Sequence, residues 1–179
     1  MSEELKKYED GHLIERQVQK ITEFLSSIGL PSDNILADIS ERDIIGKNLP
    51  QYIYDLPDEL KRDARYLSKF VVGAGFGLFD YALNSIWNEV VISLRQKAVT
   101  YGIEIFFDKA IGGALRSAYK KEEDLAGLKD TVLLTNCTKL ELISDTTYRK
   151  LAHILDMRKD IGISHPTHYS INAFELLGW

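Results

Sequence analysis

The sequence predicts an all-α fold, a helical bundle of roughly five to seven helices, and three observations support this prediction. Apolar residues recur at steps of three and four along most of the chain, as they do on one face of an α-helix. Glycines and prolines stand where these periodic segments stop, which is typical of helix ends. The 179 residues are 45% apolar, enough for one buried core, and they contain no internal repeat and no linker long enough to separate two domains.

The first helix is predicted from five apolar residues at spacings of four, three, four and three: Ile14, Val18, Ile21, Leu25 and Ile28. Glycine and proline within residues 29–31 end it. Because the stripe spans only about two and a half heptads, we expect it to pack on the protein's own core rather than to form a coiled coil.

The segment that follows is less regular. Ser32, or the aspartate after it, is predicted to cap a helix that runs to about Ile45. Two prolines then bracket residues 52–54, which are predicted to form a surface connector, with a short strand as the alternative.

From Asp58 to about Thr100 the chain is predicted to be helical, because proline and acidic residues open the segment and apolar residues follow at helical steps. Three glycines within residues 73–77 interrupt it. A dinucleotide-binding fingerprint requires Gly-x-Gly-x-x-Gly, and Leu78 stands at the last position. These glycines therefore predict close helix packing or a kink.

Further helices are predicted at residues 103–119, 131–144 and 146–159, and from about residue 166 onward. Residues 131–144 have some strand propensity, but the spacing of their apolar residues favours a helix. Cys137 within this segment is predicted to be a small core residue rather than a nucleophile, since no basic residue or histidine is adjacent to it. The acidic run at residues 122–124 has no histidine beside it and is predicted to be a solvated loop rather than a metal site.

Composition limits the classes of protein that the chain can belong to. No apolar run approaches the ~20 residues of a membrane span, and the N-terminus lacks the apolar centre of a signal peptide. A single cysteine suits a reducing compartment, so we expect a cytoplasmic location. The net charge of −5 is uneven, with −7 on residues 1–60 and +2 on the remainder, so a local basic site for nucleic acid is compatible with the acidic total.

For domain organisation, we predict an acidic N-terminal helical region at residues 1–57 and a helical core at residues 58–179. Together they are expected to form one compact domain. The chain stops while its last predicted helix is still apolar, so we expect it to be a fragment or domain of a longer protein.

The stretch richest in residues that can take part in catalysis follows residue 148. Three of the four histidines lie in it together with four basic residues: His153, His165 and His168, with Arg149, Lys150, Arg158 and Lys159. We interpret Arg158 and His165 as a pair for phosphodiester cleavage. Histidine moves protons near neutral pH, and arginine holds a phosphate bidentately and stays charged.

Two alternatives remain open for these residues. In the first, Arg158 pairs with Asp156 or Asp160 at the surface, and the histidine caps a helix. In the second, His165 and His168 bind a metal ion together with one of the two aspartates.

Residues 158–166, Arg-Lys-Asp-Ile-Gly-Ile-Ser-His-Pro, resemble the signature of the HEPN superfamily. That signature is an arginine and a histidine separated by four to six residues, at the junction of the last two helices of an α-helical bundle. The resemblance implies an endoribonuclease of a toxin–antitoxin, abortive-infection or antiphage system. It implies cleavage without a metal or other cofactor through attack by the ribose 2′-OH, with Arg158 holding the phosphate and His165 acting as acid and base.

The resemblance also implies a homodimer in which two Arg/His sets face one cleft. The family often has Asn, Asp or His after the arginine, whereas Lys159 stands here. RNA is expected to contact five further residues: Lys159, Asp160, His168, Arg149 and Lys150. An antitoxin, or further domains of a longer chain, are the other expected partners. The alternative function is a non-catalytic helical dimerisation or sensor module of a multidomain defence protein.

Overall fold

The computed structural model describes residues 11–161 and 170–178, and within these ranges the chain is helical and has no strand. The predicted all-α class is confirmed. The helices are α1 (Gly11–Ser27), α2 (Ile39–Tyr54), α3 (Asp58–Arg62), α4 (Arg65–Phe76), α5 (Phe79–Ala110), α6 (Asp130–Lys139), α7 (Asp145–Ile161) and α8 (Ala173–Leu177), with 3-10 helices at Gly113–Ala118 and Glu122–Gly127. Among the helices of these two ranges, none combines the length and the apolar character that crossing a membrane requires.

Internal contacts divide the chain into two compact units. Among the described residues, the first consists of residues 11–86 with residues 170–178, and the second of residues 87–161. Helix α5 contributes to both, because its residues 79–86 belong to the first unit and its residues 87–110 to the second. The boundary that the sequence suggests at residue 57 stays a prediction.

In the first unit, α2 packs against both α4 and α8. The buried residues of this unit are mainly aliphatic and phenyl side chains, including Ile45, Leu49, Phe70, Ala74, Leu83, Ile171 and Leu176. Helix α8 begins at a capping box between Asn172 and Glu175. The carboxylate of Glu41 in α2 accepts a hydrogen bond from the amide of Ala173. The final helix thus starts at residue 173 rather than near 166, and residues 162–169 lie outside the described ranges.

Helix α2 corrects two predictions. It begins at Ile39 instead of at Ser32 or Asp33, and it includes residues 52–54, which are neither a connector nor a strand. Pro50 inside the helix cannot donate the usual amide hydrogen bond to the residue four positions earlier. The helix continues because one line of inward-facing residues crosses the proline at four-residue steps: Ile45, Leu49 and half-buried Ile53.

Helix α1 is present where the sequence predicts it, and Gly29, at a φ of +77°, follows its end. The predicted packing of its stripe on the core is wrong for Ile21 and Ile28, which are 41% and 53% exposed. Phe24 beside them is 60% exposed. Periodicity predicts the helix because helix formation depends on residues close together in sequence. Burial of the stripe depends on other parts of the chain, which periodicity does not reveal.

The glycines at residues 73–77 form one close contact and one helix end. A Cβ atom on Gly73 would lie 2.8 Å from the ring of Tyr81. Gly77 ends α4 at a φ of +82°, and a Cβ atom there would lie 2.9 Å from the amide nitrogen of Ala37. The prediction of close packing or a break is confirmed.

In the second unit, α5 bends at Gly102, where φ is +118° and ψ is +106°, and then continues to Ala110. The sequence predicts a helix to about Thr100 and a second helix over residues 103–119, and the non-helical backbone of Gly102 confirms the break between them. The second helix ends at Ala110 rather than at residue 119. The segment after Ala110 instead forms 3-10 turns. Arg116 fixes the first of them by a 2.6 Å ion pair between its Nε and Oδ1 of Asp108.

Helix α6 runs parallel to α5. At one end, the indole N–H of Trp87 donates a hydrogen bond to the carboxylate of Asp130. Seven residues later in both helices, Sγ of Cys137 lies 3.8 Å from the carbonyl oxygen of Leu94. Helix α7 returns antiparallel to α6, after a turn in which Glu141 has a φ of +58°. The helix predicted over residues 131–144 is therefore confirmed for α6, and its strand alternative is wrong.

Candidate functional site

Arg158 lies in the last turn of α7, and its guanidinium pairs with a carboxylate of α6. Its Nη1 donates a 3.0 Å hydrogen bond to Oδ2 of Asp130. Each of the two side chains is 28% exposed. The ion pair therefore lies at the boundary between core and solvent, where a charged group can be fixed and still reach a ligand.

The same carboxylate oxygen has a second donor in the core. Nε1 of Trp87 donates to Oδ2 of Asp130 at 2.7 Å, and no surface of Trp87 is exposed to solvent. Asp130 is also the first residue of α6, where the helix dipole favours a negative charge. One oxygen atom thus connects α5, α6 and α7, and we call these three residues the Trp87–Asp130–Arg158 cluster.

The local sequence explains why Arg158 reaches this position. Ile154 and Leu155 are 7% and 3% exposed and define the inward face of α7. Residues three and four positions apart lie on one side of a helix, so Arg158 comes at the edge of that face. At the other end of α7, Oγ of Ser144 accepts a 3.1 Å hydrogen bond from the amide of Thr147, which fixes where the helix begins.

The two residues after Arg158 are more exposed. Nζ of Lys159 lies 2.9 Å from Oδ1 of Asp156, in a pair whose side chains are 52% and 69% exposed. Asp160 is exposed as well. Asp156, which the sequence offered as a surface partner for Arg158, thus pairs with the neighbouring lysine, and the arginine has a partner in a different helix.

Arg149 and Lys150 are exposed and lie more than two turns before Arg158. Nine residues at ~100° per residue place Arg149 on the side of α7 opposite Arg158. Lys150 is displaced by roughly 12 Å along the axis at ~1.5 Å per residue. Helix α7 therefore does not bring these two residues to the face that carries Arg158.

His165 and His168 lie outside the described ranges, and their predicted roles stay predictions. His153 is an exposed residue of α7. Within residues 11–161 and 170–178, no group of three or more histidine, cysteine, aspartate or glutamate side chains is arranged to hold a metal ion.

Two other features of the sequence have structural roles. Cys137 has no exposed surface, and burial raises the pKa of its thiol from 9.0 to about 11, so the prediction of a core residue is confirmed. In the acidic run, the carboxylate of Asp124 accepts hydrogen bonds from the amides of Lys120 and Lys121, which lower its pKa. This aspartate caps the second 3-10 helix.

Sequence reasoning missed Asp130 and Trp87 as part of the arginine site. They stand 43 residues apart, and the aspartate is 28 residues from Arg158. The available signals were an aspartate at a helix start and a tryptophan whose N–H requires an acceptor when buried. Neither signal identifies the partner, because the pairing depends on how three helices pack.

Comparison of the chain with models of known protein families, with curated proteins and with solved structures finds no match.

Proposed function

We propose that this chain is a metal-independent RNA endonuclease of a HEPN-like toxin or antiphage system. The observation that supports the proposal is the placement of Arg158, which Asp130 holds at the end of α7, a few residues before His165. A fixed and partly exposed cation, followed closely by a histidine, supplies the two groups that metal-free cleavage of a phosphodiester requires.

In the proposed reaction, His165 accepts the proton of the ribose 2′-OH while that oxygen forms a bond to phosphorus. The bond between phosphorus and the 5′-oxygen breaks, and the departing oxygen takes up a proton. The products are a 2′,3′-cyclic phosphate and a 5′-OH. Arg158 binds the non-bridging oxygens and stabilises the additional negative charge that they carry in the transition state.

The test is RNA cleavage by the purified chain and by the variants Arg158→Ala and His165→Ala. We expect each variant to lose activity by about 100-fold or more, since each removes a group that acts in the transition state. Circular dichroism should show unchanged helix content. His153→Ala, which removes an exposed histidine of the same helix, is the matched control and should retain activity. Variants that cleave RNA at the wild-type rate would contradict the proposal.

A second candidate function, a non-catalytic dimerisation module, is favoured by exposed apolar side chains near the end of α1 and just after it. Phe24, Ile28 and Leu30 are 60%, 53% and 52% exposed. The same helix contributes Val18 to a cleft of about 170 Å³ that is also lined by Ile35 and Ile39. Contiguous apolar surface of this kind is typical of an interaction site, and in this reading a second copy of the chain covers it.

Sedimentation equilibrium tests whether α1 forms the interface that the second function requires. In the second reading the wild type is a dimer, and Phe24→Glu places a charge in the interface and yields a monomer. Gln19→Glu adds the same charge on another side of α1 and should leave the dimer intact. A monomeric wild type would contradict the second function, and RNA cleavage that depends on Arg158 and His165 would favour the first.

A further inference from the structure

We propose that Asp130 is the positioning residue of Arg158: it fixes the guanidinium so that its exposed part is presented to the phosphodiester of an RNA substrate. This inference rests on the proposed endonuclease function. It assigns a role to a residue in a different helix from the Arg/His segment.

The position of the carboxylate oxygen is set first by the core. Trp87 is fully buried in α5, so its indole ring has no room to turn, and its Nε1–H points to Oδ2 of Asp130 at 2.7 Å. Because Asp130 is the first residue of α6, its backbone is held by that helix as well. The oxygen is therefore restrained from two directions before any contact with Arg158.

This oxygen in turn restrains a side chain that is otherwise very mobile. An arginine has several rotatable bonds, and holding it in one conformation has an entropic cost. The 3.0 Å hydrogen bond from Nη1 to Oδ2 confines the guanidinium to one place at the end of α7. A cation that is fixed before the substrate arrives loses less freedom in the transition state than one that must be ordered during the reaction.

Solvent exposure differs between the two ends of the cluster. The Arg158 side chain is 28% exposed, while Trp87, on the other side of the carboxylate, is inaccessible to solvent. The bond to Asp130 engages Nη1 of the planar guanidinium. The cluster thus has a buried anchor, a carboxylate in the middle and a cation at the surface.

A purely structural role is the competing interpretation, since the cluster also joins three helices. The two interpretations differ in what removal of the charge changes. If Asp130 only joins helices, its loss lowers the melting temperature and leaves the turnover of the folded enzyme unchanged. If it positions Arg158, the turnover number falls because an interaction that strengthens in the transition state is weakened.

The experiment uses the full chain with Asp130→Asn, which keeps an oxygen acceptor for the Trp87 indole but removes the charge. We expect kcat for RNA cleavage to fall about tenfold with a smaller change in KM. Asp108→Asn is the matched control, because it removes the carboxylate partner of Arg116 in the same unit. The control should retain the wild-type kcat.

A double-mutant cycle with Arg158→Lys shows whether Asp130 acts through the arginine. We expect Asp130→Asn to have little further effect in the Arg158→Lys background. Equal effects in both backgrounds would overturn the inference. Side-chain ¹⁵N relaxation of Arg158 Nε should show greater mobility in Asp130→Asn than in the wild type, and unchanged mobility would overturn it as well.

The possible failures can be told apart. If Arg158→Ala abolishes cleavage but Asp130→Asn retains the wild-type kcat, the positioning role is wrong and the endonuclease function stands. If the wild type does not cleave RNA, the proposed function fails, and the positioning role fails with it. If Asp130→Asn is poorly folded, the same kinetic experiment uses Asp130→Glu, which keeps the charge on a longer side chain. It should then recover part of the lost kcat, and a kcat no higher than that of Asp130→Ala would contradict the inference.

Discussion

Helices α1 and α6 show how differently two apolar helix faces can end up in one chain. The stripe of α1 is the more regular in sequence, yet Ile21 and Ile28 are largely exposed. Helix α6 has only ten residues, but Leu133, Leu134 and Cys137 are at most 2% exposed. The difference is that α6 has neighbours on both sides, α5 in parallel and α7 antiparallel, and a short helix becomes stable through such packing rather than through its own periodicity.

The largest difference in stability is expected between an alanine substitution in α6 and one in α1. Leu133→Ala should lower the free energy of unfolding by about 3 kcal/mol, since it leaves a cavity in a fully packed core. Ile21→Ala should change it by no more than about 0.5 kcal/mol, because much of the side chain already contacts water. Urea denaturation of the two variants measures both values. A loss at Ile21 that approaches the loss at Leu133 would mean that α1 is covered in solution, and would strengthen the dimerisation reading.

An intermediate effect is expected where the first unit is closely packed. Gly77→Ala should destabilise the protein by about 1–3 kcal/mol, because the residue has a φ of +82° and a Cβ atom would collide with the amide nitrogen of Ala37. Gly75→Ala is the matched control in the same helix. No atom lies within 4 Å of its Cβ position, so alanine should be neutral or stabilise the helix by up to about 1 kcal/mol. Thermal melting of both variants checks the prediction, and equal melting temperatures would contradict it.

The smallest effect is expected for Cys137, which lies on the buried face of α6. Its pKa is raised to about 11 in the folded chain against 9.0 when unfolded, so the unfolded state gains stability from deprotonation as the pH rises above 9. This contribution to stability is complete below pH 9 and is lost as the pH rises towards 11. The stability difference between the wild type and Cys137→Ala should therefore shift by about 1 kcal/mol against the wild type between pH 8 and pH 10.

Chemical denaturation at the two pH values provides the measurement, and the alanine variant corrects for the other groups that titrate in this range. A thiol that reacts with an alkylating reagent in the native protein as fast as in urea would show that Cys137 is accessible, contrary to its burial.

Much of the fold could be predicted because helix periodicity and helix ends depend on residues that are close together in the sequence. The end of α1, the break at residues 73–77 and the helical character of α6 all depend on a few neighbouring residues. The errors arise where a distant contact outweighs a local signal. The sequence predicts that α2 ends at about Ile45, before Pro50, but burial of Ile45 and Leu49 stabilises the helix on past the proline.

The candidate site divides in the same way. Arg158 and His165 were selected by their chemistry and spacing, which the sequence displays directly. The sequence suggests Asp156 and Asp160 as partners of Arg158, because they are the aspartates nearest to it along the chain. The carboxylate that holds it belongs to Asp130, in a helix that packs antiparallel to its own.

The sequence by itself determined that the chain is helical, where α1 and α4 stop, and which residues we propose for phosphodiester cleavage. Only the tertiary structure decided which apolar faces are buried and which carboxylate holds the arginine. The physical reason is that hydrogen-bonded helices form between residues a few positions apart, whereas burial and ion pairing depend on the packing of segments far apart in the chain. The Trp87–Asp130–Arg158 cluster joins three such segments at one oxygen atom.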